Sequence, residues 1–126
     1  MAKMVKVGMA DLNICHSPDA ITTLGLGSCV GVALYDKNTK TAGLVHVMLP
    51  DSTKVRQNQN RAKFADTGID YLIELLEKEG AKKSSLTAKI AGGAQMFAFS
   101  SSNDMLRVGE RNVEAVKDKL KKLGIR

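Results

Sequence analysis

The chain has 126 residues, 44% hydrophobic and 25% charged, with a formal net charge of +6. That length supports one domain whose core needs no disulfide or metal staple, and the composition is ordinary for a soluble globular protein. No apolar run approaches the roughly 20 residues of a membrane helix and no signal-peptide core opens the chain, so a cytoplasmic protein without membrane insertion is expected.

Two cysteines cannot form a disulfide scaffold in that compartment. The order Cys15-His16, Cys29, His46 lacks zinc-finger spacing, so neither a metal nor another cofactor is expected. The basic residues gather at Lys54, Arg56, Arg61 and Lys63 and at Lys117, Lys119, Lys121, Lys122 and Arg126. Two tyrosines, three phenylalanines and no tryptophan leave no stacking platform for nucleic acid. A solvated basic face, or a docking surface for an acidic protein, fits better.

In chain order, Val5, Val7 and Met9 alternate with Lys6 and Gly8, which predicts a strand with one buried face. Leu12 and Ile14 switch parity, so that strand ends or bulges near Asp11. Ser17-Pro18-Asp19 breaks the run, Ile21 to Leu24 reads as a short strand, and Gly25-Leu26-Gly27-Ser28 as a turn. Cys29 to Tyr35 and Gly43 to Leu49 read as strands joined by the turn residues Asp36 to Lys40, a β-hairpin stopped by Pro50. Residues 51–60 read as a polar loop. From about Arg61 to Glu79, the apolar set Ala65, Ile69, Leu72, Ile73 and Leu76 has helical spacing, and Gly80 ends it. Leu86 to Ala91 reads as a strand entering Gly92-Gly93, Met96 to Phe99 fits either state, and Ser100 to Asp104 reads as a loop. A helix from about Glu110 to Leu123 carries Val113, Val116, Leu120 and Leu123 on one stripe. Together these predict an α+β fold, an α/β sandwich of mixed sheets flanked by helices.

The chemistry concentrates around Cys29. A four-residue loop at Lys37–Lys40 puts Asp36 opposite Thr41 and Gly31 opposite His46, so Cys29 and His46 become diagonal neighbours on one face. The missing side chain at Gly31 leaves room for the imidazole to lean toward the thiol. A histidine beside a cysteine can take its proton and generate the nucleophilic thiolate. Backbone N–H groups of the Gly27-Ser28-Cys29 turn can hold an oxyanion, and Thr23 can orient the imidazole. An activated Cys29 is expected to alkylate faster than Cys15 at mildly acidic pH. Taken singly these residues are ordinary: a buried cysteine, a core histidine and a strand threonine. Cys15-His16 has no supporting glycines and reads as structural. Gly25-x-Gly27 lacks dinucleotide-binding spacing and precedes a strand rather than a helix.

The blocks Leu26-Gly27-Ser28-Cys29-Val30-Gly31, His46-Val47-Met48-Leu49-Pro50, Lys89-Ile90-Ala91-Gly92-Gly93-Ala94-Gln95-Met96-Phe97 and Val108-Gly109-Glu110-Arg111-Asn112 resemble the CheD family in order and spacing. CheD proteins are chemoreceptor glutamine deamidases of bacterial and archaeal chemotaxis, and the resemblance spans nearly the whole chain. It implies hydrolysis of selected glutamines on receptor cytoplasmic helices to glutamate and ammonia. Cys29 would be the nucleophile, His46 the base and then the acid, and Thr23 their support. The resemblance also implies a layered sandwich with mixed sheets and a partner, the phosphatase CheC. Family members usually continue past the helix that corresponds to Val113–Leu123. This chain, ending at Arg126, is therefore expected to be a single domain over 1–126 without the usual C-terminal segment, leaving a sheet edge or apolar face uncovered. The alternative reading is a regulator without catalysis that docks on receptors or on CheC.

Overall fold

The structure of the chain, a computed structural model, describes residues 2–52, 60–94 and 108–126. Lys54 and Arg56, most of the 51–60 loop, Met96 to Phe99 and Ser100 to Asp104 lie outside the described residues. Six strands and two α-helices follow in the order β1 (Met4–Val7), β2 (Leu12–His16), β3 (Ala20–Thr23), β4 (Val30–Asp36), β5 (Thr41–Val47), α1 (Ala65–Lys78), β6 (Leu86–Gly92) and α2 (Val108–Leu123). β1 and β3 pair in parallel as a small sheet, and β2-β5-β4-β6 form an antiparallel sheet. The fold is α+β and layered: small sheet, large sheet, helices.

The β4–β5 hairpin has the expected register, with Asp36 opposite Thr41 and Gly31 opposite His46. Its turn is locked by Asp36, which is buried yet accepts N–H bonds from Asn38 at 2.8 Å and Lys82 at 3.1 Å. Burial pushes the Asp36 carboxyl up, but hydrogen bonds from Lys82, Asn38 and Thr39 outweigh it and hold the group below its ordinary value.

One face of the large sheet carries Val30, Val32 and Leu34 on β4 beside Val45 and Val47 on β5, all fully buried. They pack with Ile69, Leu72 and Leu76 of α1 and Val116 and Leu120 of α2 in one core. Gly68 lets α1 approach closely, since a Cβ there would sit 3.3 Å from both Val45 Cγ2 and Val47 Cγ1. Ile69→Ala, at 0% exposure, is expected to cost about 2–5 kcal/mol in urea unfolding, because the rigid sheet face cannot collapse onto the void. The opposite face, which includes Gly31 and His46, looks toward β3 and the small sheet.

Three local expectations shift. The strand expected to run on to Met9 stops at Val7, and Met9 is 61% exposed. The parity switch at Leu12 marks a separate strand that crosses to the other sheet and pairs with β5. The helix expected from Arg61 begins as an isolated 3-10 turn at Arg61–Lys63, capped by Asn60. Phe64 then returns to extended backbone and buries its ring before α1 starts. Among the described residues no helix is long and apolar enough to cross a membrane.

Candidate active site

His46 lies on β5 with no exposed surface. Its Nδ1 is 2.8 Å from Thr23 Oγ1, and that hydroxyl donates to the Val7 carbonyl at 2.6 Å. A threonine hydroxyl has one proton, and a carbonyl can only accept. With its proton committed to Val7, Thr23 must accept from His46 Nδ1–H. The imidazole is thereby fixed as the Nδ1–H tautomer, with the lone pair on Nε2. That atom is buried and has no hydrogen-bond partner among the described residues. Burial pushes the His46 pKa below its ordinary 6.5, so the ring rests neutral.

Cys29 immediately precedes β4 and is a buried, free thiol. It stands two residues before Gly31, the residue paired with His46, and no hydrogen bond joins its Sγ to His46 Nε2 among the described residues. The loop before it is held from behind by three successive carbonyls. Gly27 O accepts from Ala94 N at 2.8 Å, Ser28 O from Asn112 Nδ2 at 2.9 Å, and Cys29 O from Gly93 N at 2.7 Å. Gly92 permits this approach, because a Cβ there would fall on the Cys29 carbonyl oxygen. The Cys29 N–H is taken up in the turn by Leu26 O at 2.6 Å. Of the three N–H groups expected to face an oxyanion, those of Gly27 and Ser28 have no partner among the described residues.

Asn112 is the residue that sequence reasoning missed. It is fully buried on α2, and its Nδ2 donates at 2.9 Å both to Ser28 O, next to Cys29, and to Met48 O, two residues past His46. The signal for it was present: a polar, weakly helix-forming residue on the buried side of an otherwise apolar stripe requires a specific partner.

A Cβ at Gly31 would meet Leu26 and Thr23 side-chain atoms at 3.4–3.6 Å, an ordinary contact, and the imidazole is held through its Nδ1 by Thr23. Cys15 and His16 stay apart from the site. Cys15 lies opposite Ala42, near the far end of β5, and His16 Nε2 bonds Glu79 at 2.8 Å. Among the described residues no cluster of His, Cys, Asp or Glu could hold a metal ion.

Burial raises the Cys29 thiol above its ordinary value and, together with the nearby Asp19 carboxylate, does the same for Cys15. With His46 lowered, the resting pair is neutral thiol and neutral imidazole rather than a preformed ion pair. Burial thus works against the thiolate of Cys29 at rest, and its alkylation should rise toward alkaline pH. The arrangement suits proton transfer to Nε2 during attack on an electrophile. Activity that needs neutral His46 should stay level from neutral pH down past 6.5, with its acid limb below that value. Protein stability falls in the same direction, since the unfolded chain takes up this proton at higher pH than the folded one. A kcat/KM profile over pH 5–9 (about the range that His and Cys titration spans) reads the limb directly. Thr23→Val is expected to lower kcat about 10²-fold by releasing the tautomer, with steady-state rates of the purified variant as the check.

Comparison with known proteins identifies the family. The family described as CheD chemotactic sensory transduction matches residues 48–126. A protein of Lachnoclostridium phytofermentans named probable chemoreceptor glutamine deamidase CheD is 70% identical, over 99% of this chain and 78% of its own length. The chemoreceptor glutamine deamidase CheD of Halalkalibacterium halodurans is 60% identical over 99% of this chain and 78% of its own. A probable chemoreceptor glutamine deamidase CheD of Caldanaerobacter subterraneus is 56% identical over 98% and 76%. With a match over more than half its length and relatives at these identities, the chain belongs to the CheD family.

Proposed function

We propose that this chain is a chemoreceptor glutamine deamidase, a protein-glutamine amidohydrolase with Cys29 as nucleophile and His46 as base. The observation that supports the reading is the Val7–Thr23–His46 relay, which leaves the buried Nε2 lone pair unpartnered among the described residues, with Cys29 two residues before the strand position paired with His46. The names of the relatives supply the substrate: a glutamine side chain of a chemoreceptor.

In the reaction, Nε2 takes the thiol proton as Sγ attacks the carboxamide carbon. The developing oxyanion is met by the Gly27 and Ser28 N–H groups. Collapse breaks the C–N bond, and Nε2 returns the proton to the leaving ammonia. Water then attacks the thioester, giving its proton to Nε2 and expelling the thiolate, which recovers that proton. Receptor cytoplasmic helices are the substrate partner on this reading. CheC, implied by the family resemblance, is a second protein partner on this reading, and a cytoplasmic location goes with both. The docking regulator without catalysis is not favoured, since a docking surface has no use for a buried, tautomer-fixed histidine.

Incubation with a receptor cytoplasmic fragment tests the function. One ammonia released per glutamate formed, read by mass spectrometry, is the expected result. A fragment that binds with every glutamine intact would instead establish the docking regulator.

A further inference from the structure

His46 has no exposed surface and its Nε2 no partner, yet a base must meet the thiol, and then water, at that atom. Gly31 stands opposite it on β4. His46 N donates away from β4, to Asp11 O at 2.9 Å. The two residues are therefore a non-hydrogen-bonded pair, with Cα atoms about 4.5 Å apart and side-chain positions on one face. Gly31 has no side chain to cover that face, and Leu26 covers it instead. A Cβ on Gly31 would meet Leu26 Cδ2 at 3.4 Å and Cδ1 at 3.6 Å, with the Thr23 methyl also at 3.6 Å. Both Leu26 methyls thus lie over Gly31, next to the threonine that holds the imidazole. The same residue is tied to the turn that carries Cys29. Leu26 O accepts from Cys29 N at 2.6 Å, and a Cβ on Gly92 would meet Leu26 Cβ at 3.1 Å.

Leu26 sits between two exposed glycines with left-handed backbone, Gly25 at φ 66° and Gly27 at φ 47°. A Cβ on Gly25 would meet nothing within 4 Å, so no packing holds that end of the turn in place. The isopropyl group is carried on a short segment with glycine freedom on both sides. Resting on the deamidase reading, we infer that Leu26 is a gate over the His46–Gly31 row that makes the site specific for glutamine on a protein surface. Closed, it keeps water and small amides from Nε2. A receptor segment presenting its glutamine displaces it and receives the isopropyl group on its own apolar surface, which offsets the cost of opening. A short amide has no such surface and bears that cost in full.

Leu26→Ala and Gly25→Ala test this. The first removes the gate, and the second keeps its side chain but penalises the left-handed backbone of the closed turn. Iodoacetamide alkylation of Cys29, located by peptide mass spectrometry, should rise about tenfold in Leu26→Ala, the reciprocal of an open population of roughly a tenth. In Gly25→Ala it should rise about fivefold. Leu26→Ala should also raise kcat/KM for the small amide benzyloxycarbonyl-glutaminylglycine about tenfold, and leave kcat/KM for a receptor cytoplasmic fragment within about threefold of the parent's. Melting temperatures should stay close to the parent's, and a rise in alkylation that merely tracks lost stability overturns the gate. Parental Cys29 alkylation in both variants overturns it too, as does an equal gain on the fragment and the small amide. A parent chain that converts neither substrate overturns the deamidase reading, while the alkylation rates still decide whether Leu26 closes the site.

Discussion

Cys29→Ala is expected to bring receptor deamidation down to background, a loss of roughly 10⁶-fold when the group that forms the covalent bond is removed. His46→Gln should fall less far, about 10³-fold, because the thiol and the loop N–H donors remain while the proton acceptor is lost. The two losses should not add, since the histidine acts through the thiol and has nothing to deprotonate once Cys29 is gone. The resting state explains why both are needed. Burial keeps the thiol protonated and the imidazole neutral, so a thiolate forms only as Nε2 takes its proton. Cys29→Ala removes one small buried atom group, and its melting temperature should stay near the parent's, separating lost chemistry from lost fold. A Cys29→Ala chain that still converts receptor glutamine would remove the basis of the mechanism.

Asn112→Leu is expected to have the second-largest effect. Leucine keeps the branching at Cγ but removes both donors, leaving Ser28 O and Met48 O inside the protein without the amide. Each buried carbonyl left without a donor costs about 1–3 kcal/mol, so urea unfolding should show a loss of about 2–5 kcal/mol. The effect on rate should exceed what stability accounts for. Asn112 fixes the position of the nucleophile loop relative to the histidine strand, and a small displacement of either disrupts a near-attack geometry. Measured at temperatures where the variant is folded, kcat should fall about 10²-fold with little change in receptor affinity. Asn112→Asp should not rescue it, because a carboxylate accepts where a donor is required. Parental kcat in folded Asn112→Leu would show that α2 packs against the loop without positioning it.

The sequence made the β4–β5 hairpin legible because its pattern was redundant. Turn residues at Asp36–Lys40 and Pro50 bracket the two apolar runs, and a four-residue loop between them sets the register that brings Gly31 opposite His46. α1 was legible for a similar reason, its five apolar positions all falling on the buried stripe. The first strands were harder. β1 has four residues, too few for alternation to show where it stops, and the switch to β2 is a change of sheet that only long-range pairing with β5 explains. Phe64 interrupts the helical period because its own burial wins over helix continuation. At the site, the sequence offered Thr23 as the orienter of His46, but the tautomer depends on Val7 O, a backbone atom sixteen positions away. Asn112 lay in a recognisable block, yet its function depends on carbonyls 84 and 64 residues distant. Local pattern reports elements and register. It does not report which backbone groups meet across layers.

The measurement that tests the central claim most directly is interception of the acyl-enzyme with hydroxylamine. A thioester on Cys29 partitions between water and this stronger nucleophile, so receptor glutamines treated with the parent chain should appear partly as glutamyl hydroxamate and partly as glutamate. Cys29→Ala should give neither product. Glutamate formed by the parent with no hydroxamate at saturating hydroxylamine, or hydroxamate formed equally by Cys29→Ala, would contradict a covalent mechanism through this cysteine.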